Sequence, residues 1–288
     1  MTKKIKARTI HNPIISVLMC AYNAVAYIQD AINSVLEQSF KDFEFIIVDD
    51  GSTDETAQII RRFSDKRLRL IQCRHDYIAS LNKGMRACKG DYIARIDADD
   101  IMMPHRLETQ IEVMLKKPQL AACFSWGTTF GLIDETIGNQ TKGVIDHAFF
   151  WLLTGNYLIH PTAMLRTKFI RQNRLRYKRY SYAEDYKLWC DITRIGGEIY
   201  IIPEPLIRYR MSNTQVSYVH HATQSMTRLS IQQEILEELL SRLHHPQRTR
   251  LLQIYHNLIR MNQAKLIQGD EIVIFMYKLL WRTKFFVQ

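Results

Sequence analysis

Three carboxylates fall within four residues in the stretch Arg95-Ile96-Asp97-Ala98-Asp99-Asp100, which follows the largely apolar run Asp91-Tyr92-Ile93-Ala94. Acids at the end of a strand repel one another and resist desolvation, so clustering them needs compensation. A divalent cation is the usual compensation, and hard carboxylate oxygens suit Mg²⁺ or Mn²⁺. The bland alternative is a solvated acidic turn that caps the helix after Pro104. Two further acidic pairs bear on the choice, Asp49-Asp50 and Glu184-Asp185. Asp50 or Asp49 is suited to accept hydrogen bonds from a base or ribose, and the Glu184-Asp185 pair to take a proton as a general base. Together with basic groups elsewhere in the chain, this chemistry suits a substrate that carries a diphosphate.

The elements that must position these groups are legible as apolar runs. Pro13 to Cys20 is a nearly continuous apolar run of strand length, ended by Ala21-Tyr22-Asn23-Ala24. Tyr27, Ile28, Ala31, Ile32, Val35 and Leu36 then recur at helical spacing. A strand from Phe43 to Val48 runs into Asp49-Asp50-Gly51-Ser52-Thr53-Asp54, where Ser52 and Glu55 have capping-box spacing for a helix carrying Ile59, Ile60 and Phe63. Leu68 to Gln72 reads as a strand, Ile78 to Cys88 as a helix, the acidic segment as a strand, and Pro104 to Lys117 as a helix. Such alternation predicts a parallel α/β sheet with right-handed crossovers. Ligands of these sheets bind beyond the carboxyl ends of the strands, so Tyr22-Asn23, Asp49-Asp50 and Asp97 to Asp100 converge on one rim.

The second half is less regular. Leu120 to Trp126 and Thr129 to Ile137 read as two strands with a turn at Gly127, Asp146 to Leu153 as a helix, and Ala163 to Arg166 as a short strand after His160-Pro161-Thr162. A basic stretch (Arg166, Lys168, Arg171, Arg174, Arg176, Lys178, Arg179) is interleaved with Tyr177, Tyr180 and Tyr182, and Glu184-Asp185 opens the helix that follows. From Thr223 the pattern is helical: one stripe runs through Leu229, Gln232, Leu236, Leu239, Leu240 and Leu243 to near Pro246, and a second helix covers Leu251 to Ile267. A last segment mixes Phe275, Tyr277, Trp281, Phe285 and Phe286 with Lys278, Arg282 and Lys284. That mixture suits either a membrane interface or docking on the core.

With 288 residues, 47% apolar and 24% charged, the chain has the composition of an ordinary globular protein with a substantial core. A formal charge of +10 points to anionic partners. Five scattered cysteines without a CxxC pair indicate a reduced, cytoplasmic setting and argue against zinc. No stretch approaches the roughly 20 apolar residues of a membrane span. Neither GxGxxG nor the P-loop pattern occurs, which disfavours NAD and ATP sites of the usual kinds.

The stretches ISVLMCAYNAVAYIQDAINSVLEQSFKDFEFIIVDDGSTDET and NKGMRACKGDYIARIDADDIMMPHRLETQ, followed by HPTAMLR, AEDYKLWCDI and RYRMSNTQVS, resemble the inverting family 2 glycosyltransferases of the GT-A fold. The resemblance implies a nucleotide-sugar donor, a UDP-sugar foremost, a divalent metal (Mn²⁺ or Mg²⁺), and direct displacement at the anomeric carbon. Carried over by position, it implies Ala21, Tyr22 and Asn23 around uracil and ribose, Asp50 on uracil, and Ser80 and Asn82 near base or phosphates. Asp97 and Ala98 would lie at the ribose, Asp99 with Asp97 at the metal, and Asp185, with Glu184 as the alternative, would be the base. Where many relatives carry a histidine two residues after the YR motif this chain has Ser212, which leaves the third metal contact open, with Arg208, Arg210 or His160 as candidates for phosphate binding instead.

The implied organisation is a basic tail over 1–12, a GT-A domain over 13–217 (nucleotide-sugar half 13–126, acceptor half 127–217), and a helical extension over 218–288. The implied setting is bacterial lipopolysaccharide, capsule or other surface-polysaccharide synthesis. The acceptor would be a glycan or lipid-linked glycan, the place the cytoplasmic face of the membrane, and nucleic acid is not an expected partner. Two other classes fit parts of the sequence: a sugar-nucleotide-binding module without catalysis, and an acidic-loop phosphohydrolase. Adjacent Asp49 and Asp50 lack the one-residue gap the phosphohydrolase needs.

Overall fold

The computed structural model describes residues 12–213, 215, 219–244 and 247–282. Almost all of the basic tail, Ser217, Pro246, Lys284, Phe285 and Phe286 lie outside the described residues. Four parallel strands form the first half of one mixed sheet: β1 (Ile15–Ala21), β2 (Phe43–Asp49), β3 (Leu68–Gln72) and β4 (Tyr92–Asp97). They are joined by α1 (Ile28–Leu36), α2 (Thr56–Arg61) and α3 (Tyr77–Ala87).

Strand alternation explains why these runs are apolar throughout. Ile15, Val17, Met19 and Ala21 of β1 enter one core with α1, while Leu18 and Cys20 enter the other with α3. Side chains alternate across a strand, so a strand covered on both faces needs both sets apolar. In α3, Gly84 has no room for a side chain: a Cβ would sit 2.3 Å from Leu18 Cδ1 and 3.0 Å from Val48 Cγ2. The helix therefore rests directly on β1 and β2.

The second half, where the sequence pattern is less regular, makes the sheet a mixed one. After β5 (Ile101–Met102) and α4 (Arg106–Lys116) come β6 (Leu120–Gly131), β7 (Thr136–Ile137), β8 (Gly143–Val144), α5 (Ala148–Trp151), β9 (Met164–Arg166), α6 (Thr167–Gln172), α7 (Glu184–Arg194) and β10 (Glu198–Met211). The order across the sheet is β3-β2-β1-β4-β9-β6-β10-β5, with β9 antiparallel to β4 and β6, and β10 parallel to β6. No turn forms at Gly127. Residues 120–131 are one strand, and glycine at 127 suits the close approach of Ile207, whose Cγ2 would lie 3.0 Å from a Cβ there. The chain reverses later, so that Gly127 pairs with Ile137. Pro203 and Pro205 lie inside β10, where the register with β6 shifts on either side of Pro205.

Three helices are described after β10: α8 (His221–Ser241), α9 (Gln247–Gln263) and α10 (Gly269–Arg282). Ile231, Ile235, Leu236, Leu239 and Leu240 of α8 join the core that also holds α7. Gln232, the polar gap in its stripe, is buried and donates to Leu153 O at 2.9 Å. That bond satisfies a main-chain carbonyl which burial would otherwise leave unpaired.

Candidate functional site

Parallel register levels the strand ends. Ala21 stands beside Asp49 and Cys20 beside Asp97, so the polar segments after β1, β2 and β4 leave the sheet on one rim.

The first two of those segments are sewn together. Asn23 N donates to Ser52 Oγ (3.1 Å), Thr53 N to Asn23 Oδ1 (2.8 Å), Ala24 N to Thr56 Oγ1 (2.8 Å) and Val25 N to Asp54 Oδ2 (3.2 Å). Asn23 adopts φ +47°, a left-handed conformation that asparagine tolerates better than most residues. Ser52 is thus a clamp between loops, and the capping box expected for α2 does not form: Glu55 is the N-cap residue, and it makes no side-chain cap bond. Ala21 contributes its carbonyl, which accepts from Asp50 N at 2.8 Å.

The clamp leaves Tyr22 standing out, 45% exposed, with its ring stacked on His75 at 4.1 Å. His75 comes from the loop after β3 and was not singled out from sequence, because no apolar pattern or motif marks it. Below the stack lies Asp50, almost fully buried, whose Oδ1 accepts from Asp76 N (2.8 Å) and Ser80 Oγ (2.6 Å). His75 Nδ1 is bonded to Asp50 O at 3.1 Å and stands 3.0 Å from Oδ2, too poorly aligned to satisfy that oxygen as well. Oδ2 is therefore an acceptor held ready in a buried place. Asp49, by contrast, is occupied by Ser52 N (3.0 Å) and Gln72 Nε2 (3.2 Å). Gly51 has φ +77°, and a Cβ would meet His75 N at 2.8 Å, so the turn between these groups requires glycine.

Asn82 is turned elsewhere. Both ends of its amide bond the main chain of Tyr177, at 2.9 and 3.0 Å.

Each of the three acids after β4 has a different environment. Buried Arg95 donates to Asp97 Oδ1 (2.5 Å) and to Tyr77 Oη (3.1 Å). Asp100, fully buried, accepts Arg210 N on Oδ1 at 2.8 Å, and among the described residues its Oδ2 has no partner. Arg210 Nε donates to Asp99 O at 2.9 Å, and its guanidinium is sandwiched between Tyr27 (4.2 Å) and Phe130 (4.4 Å). Apart from its own amide, no donor among the described residues reaches the Asp99 carboxylate. Burial, and then Asp97, push its pKa up to about 6. Ala98 is buried between them.

Asp185 and Glu184 begin α7, where the helix dipole favours a negative charge. Asp185 Oδ2 accepts from Asn156 Nδ2 (3.0 Å) and Oδ1 from Tyr186 N (2.6 Å). Burial raises Asp185 to about 6, with Asp97 adding to the rise, and burial followed by Asp185 raises Glu184 to about 7. Asp97 is therefore within electrostatic reach of two further acids, Asp99 just after β4 and Asp185 on α7. Tyr209, from the end of β10, lies in the field of all four of Asp97, Asp99, Asp100 and Asp185, and burial together with those charges raises its hydroxyl pKa.

His160 is a member of the interior. Its Nε2 lies 2.8 Å from Tyr177 Oη, and burial together with Arg95 keeps the ring neutral, with a pKa lowered to about 3. Arg208 lies over the Phe130 ring at 4.6 Å. Arg95, Tyr77, Asn156 and Tyr209 are contacts that the sequence reading did not single out.

Among the described residues no three His, Cys, Asp or Glu side chains form a ready metal cage. A divalent cation still fits. Mg²⁺-type sites take one or two carboxylates and complete the shell with water and substrate phosphates. Asp99, whose carboxylate takes no donor from another described residue and which is burdened by Asp97, has the chemistry such a ligand needs.

The sequence profile described as Glycosyl transferase family 2 matches residues 16–181. The chain belongs to that family. It is a glycosyltransferase. An uncharacterized glycosyltransferase of Haemophilus influenzae is 32% identical over 269 residues, 85% of this chain and 81% of the relative. TuaG of Bacillus subtilis, named for teichuronic acid biosynthesis, is 29% identical over 71% of this chain and 82% of its own. Staphylococcus aureus TarS (residues 1–349), solved with UDP-GlcNAc, superposes with a TM-score of 0.65 at 17% identity, covering 81% of this chain and 69% of that one. The mannosyltransferase PcManGT of Pyrobaculum calidifontis, solved with GDP-Man and Mn²⁺, gives 0.57 at 14% identity over 94% and 87%. These likenesses give the glycosyltransferase the GT-A fold.

Proposed function

We propose that this glycosyltransferase moves a sugar, with inversion, from a UDP-sugar to a hydroxyl of a glycan or lipid-linked glycan in surface-polysaccharide synthesis. The observation that carries the reading is that Asp97, at the end of β4, lies within electrostatic reach both of Asp99 just after it and of Asp185 at the start of α7. UDP-GlcNAc in TarS supports the donor class, Mn²⁺ in PcManGT the metal, and the name of TuaG the setting.

In this reading Tyr22 and the unsatisfied Asp50 Oδ2 face the base. Asp99, with Asp97, would hold the cation, which when bound neutralises the charge that builds on the diphosphate. A sugar hydroxyl is a weak nucleophile at neutral pH, so the Asp185 carboxylate takes its proton as attack proceeds, help typically worth about 10²–10⁴-fold. Asn156 and Tyr186 N orient that carboxylate. Glu184 is the alternative base.

We also propose a peripheral contact with an anionic membrane at the cytoplasmic face, through α10. Ile272, Val273, Met276 and Leu280 face the core, while Ile274, Phe275 and Trp281 are 52%, 49% and 59% exposed on the side that carries Lys278 and Arg282. Aromatics flanked by cations suit a headgroup layer. Among the described residues no helix is long and apolar enough to cross a membrane.

The test is UDP release from a panel of UDP-sugars with a glycan acceptor, with and without Mn²⁺. Release that needs both acceptor and cation bears the proposal out, phosphate release without sugar transfer points to a hydrolase, and tight binding without turnover points to a binding module.

A further inference from the structure

Tyr182, two residues before Glu184, has φ +60°. A bulky side chain rarely holds the left-handed conformation unless its surroundings enforce it. Here the enforcing contacts come from the start of α8. The Tyr182 ring stacks on His220 at 4.2 Å and 6° between planes, and Gln224 Nε2 donates to Tyr182 O at 2.8 Å.

Further along the same helix, Glu234 holds the other flank of the acidic pair. Its Oε1 accepts from Tyr180 Oη at 2.8 Å and its Oε2 from Lys187 Nζ at 2.7 Å. Lys187 also reaches Asp191 (3.4 Å), and Asp191 is bound by Lys178 (2.6 Å). Glu234 thus bridges residues on both sides of Glu184-Asp185. Residues 224 and 234 lie almost three turns apart on a helix, which brings them to one side of α8.

We propose that Gln224 and Glu234 are positioning residues for the catalytic base, so that the C-terminal helices set the aim of Asp185 instead of forming a separate appendage. This rests on the reading of Asp185 or Glu184 as the base. A carboxylate at a helix start moves with the backbone that precedes it, and a displacement of about 1 Å can cost as much as 10²-fold in rate.

The experiment compares Gln224→Ala, Glu234→Ala and Glu234→Gln in the full chain. Arg242→Ala serves as a control that loosens α8 elsewhere, since Arg242 holds Arg194 O at the far end of α7. Expected is a fall in kcat of roughly 10–100-fold, with donor KM and calorimetric UDP affinity within about two-fold of wild type, and Glu234→Gln in between. Arg242→Ala is expected to lower the Tm comparably and leave kcat alone. If Glu234→Ala does not fold, Gln224→Ala carries the test. An unchanged kcat in Gln224→Ala and Glu234→Gln overturns the proposal, as does a fall matched by Arg242→Ala. Asp185→Asn and Glu184→Gln run beside them separate the two claims: wild-type transfer in both removes the base assignment itself, whereas inactive acid variants beside fully active Gln224 and Glu234 variants remove only the positioning role.

Discussion

Asn82 and Tyr177, 95 residues apart, exchange a reciprocal pair of hydrogen bonds: the side-chain amide of one satisfies both the N–H and the C=O of the other. The first turns of α3 are thereby tied to the basic loop that leads to Asp185. Asn82→Ala leaves two main-chain groups without partners in a partly buried place, at about 1–3 kcal/mol. We expect a lower Tm by calorimetry and a reduced kcat, with UDP affinity nearly unchanged. A selective loss of UDP binding at wild-type stability would instead make Asn82 a donor contact.

Asp99 offers the sharpest separation of binding from chemistry. Asp99→Asn removes a carboxylate that, among the described residues, no donor but its own amide claims, so Mn²⁺-dependent UDP binding should weaken about 10–100-fold, on the scale of a lost metal-site interaction. Titration calorimetry with and without EDTA measures this. Chelation should abolish the difference between wild type and variant.

Asp185→Asn should do the reverse. Donor binding stays near wild type while transfer falls by about 10²–10⁴-fold. Full transfer by this variant would shift the role to Glu184.

The raised acids at the start of α7 predict two opposed pH trends. A general base works only when ionised, so kcat should decline as pH falls through about 7 to 6, where Glu184 and Asp185 take up protons. An ordinary carboxylate would hold out to about 4. Stability has the other sign: the folded chain binds these protons more readily than the unfolded one, so their contribution is complete at low pH and is lost as pH rises through about 6 to 7. Rate profiles and Tm measured over the same range should slope in opposite directions, and Asp185→Asn should flatten the Tm trend.

The exposed side of α10 gives a prediction that leaves the chemistry alone. Phe275→Glu with Trp281→Glu should abolish sedimentation with phosphatidylserine vesicles and spare transfer to a soluble acceptor. Equal binding of the double variant would leave α10 without a lipid role.

The first four strands were legible because each is an apolar run that ends in polar residues, and burial on both faces demands that pattern. The acids at their ends were legible for the same reason. Spacing misled where one residue had two suitors: Ser52 and Glu55 fit a helix cap, but Asn23 takes the Ser52 hydroxyl from across the rim. Gly127 looked like a turn because the close approach of Ile207 that it accommodates comes from 80 residues away. The strand 198–211 carries two prolines, which speak against a central strand unless a bulge absorbs them. Arg95, Asn156 and Tyr209 gain meaning only from the acids that tertiary folding brings to them.

Gly84, which lets α3 lie flush on β1 and β2, has an effect one turn away. Ser80 is on the same helix, and its 2.6 Å bond to Asp50 exists at the height that Gly84 permits. A single methyl group at position 84 would lift the helix and stretch that bond, so with Asp50 in the role proposed for it a change made deep in the hydrocarbon interior would register as altered nucleotide affinity. At this spot the tolerance of the packing and the tolerance of molecular recognition are one quantity.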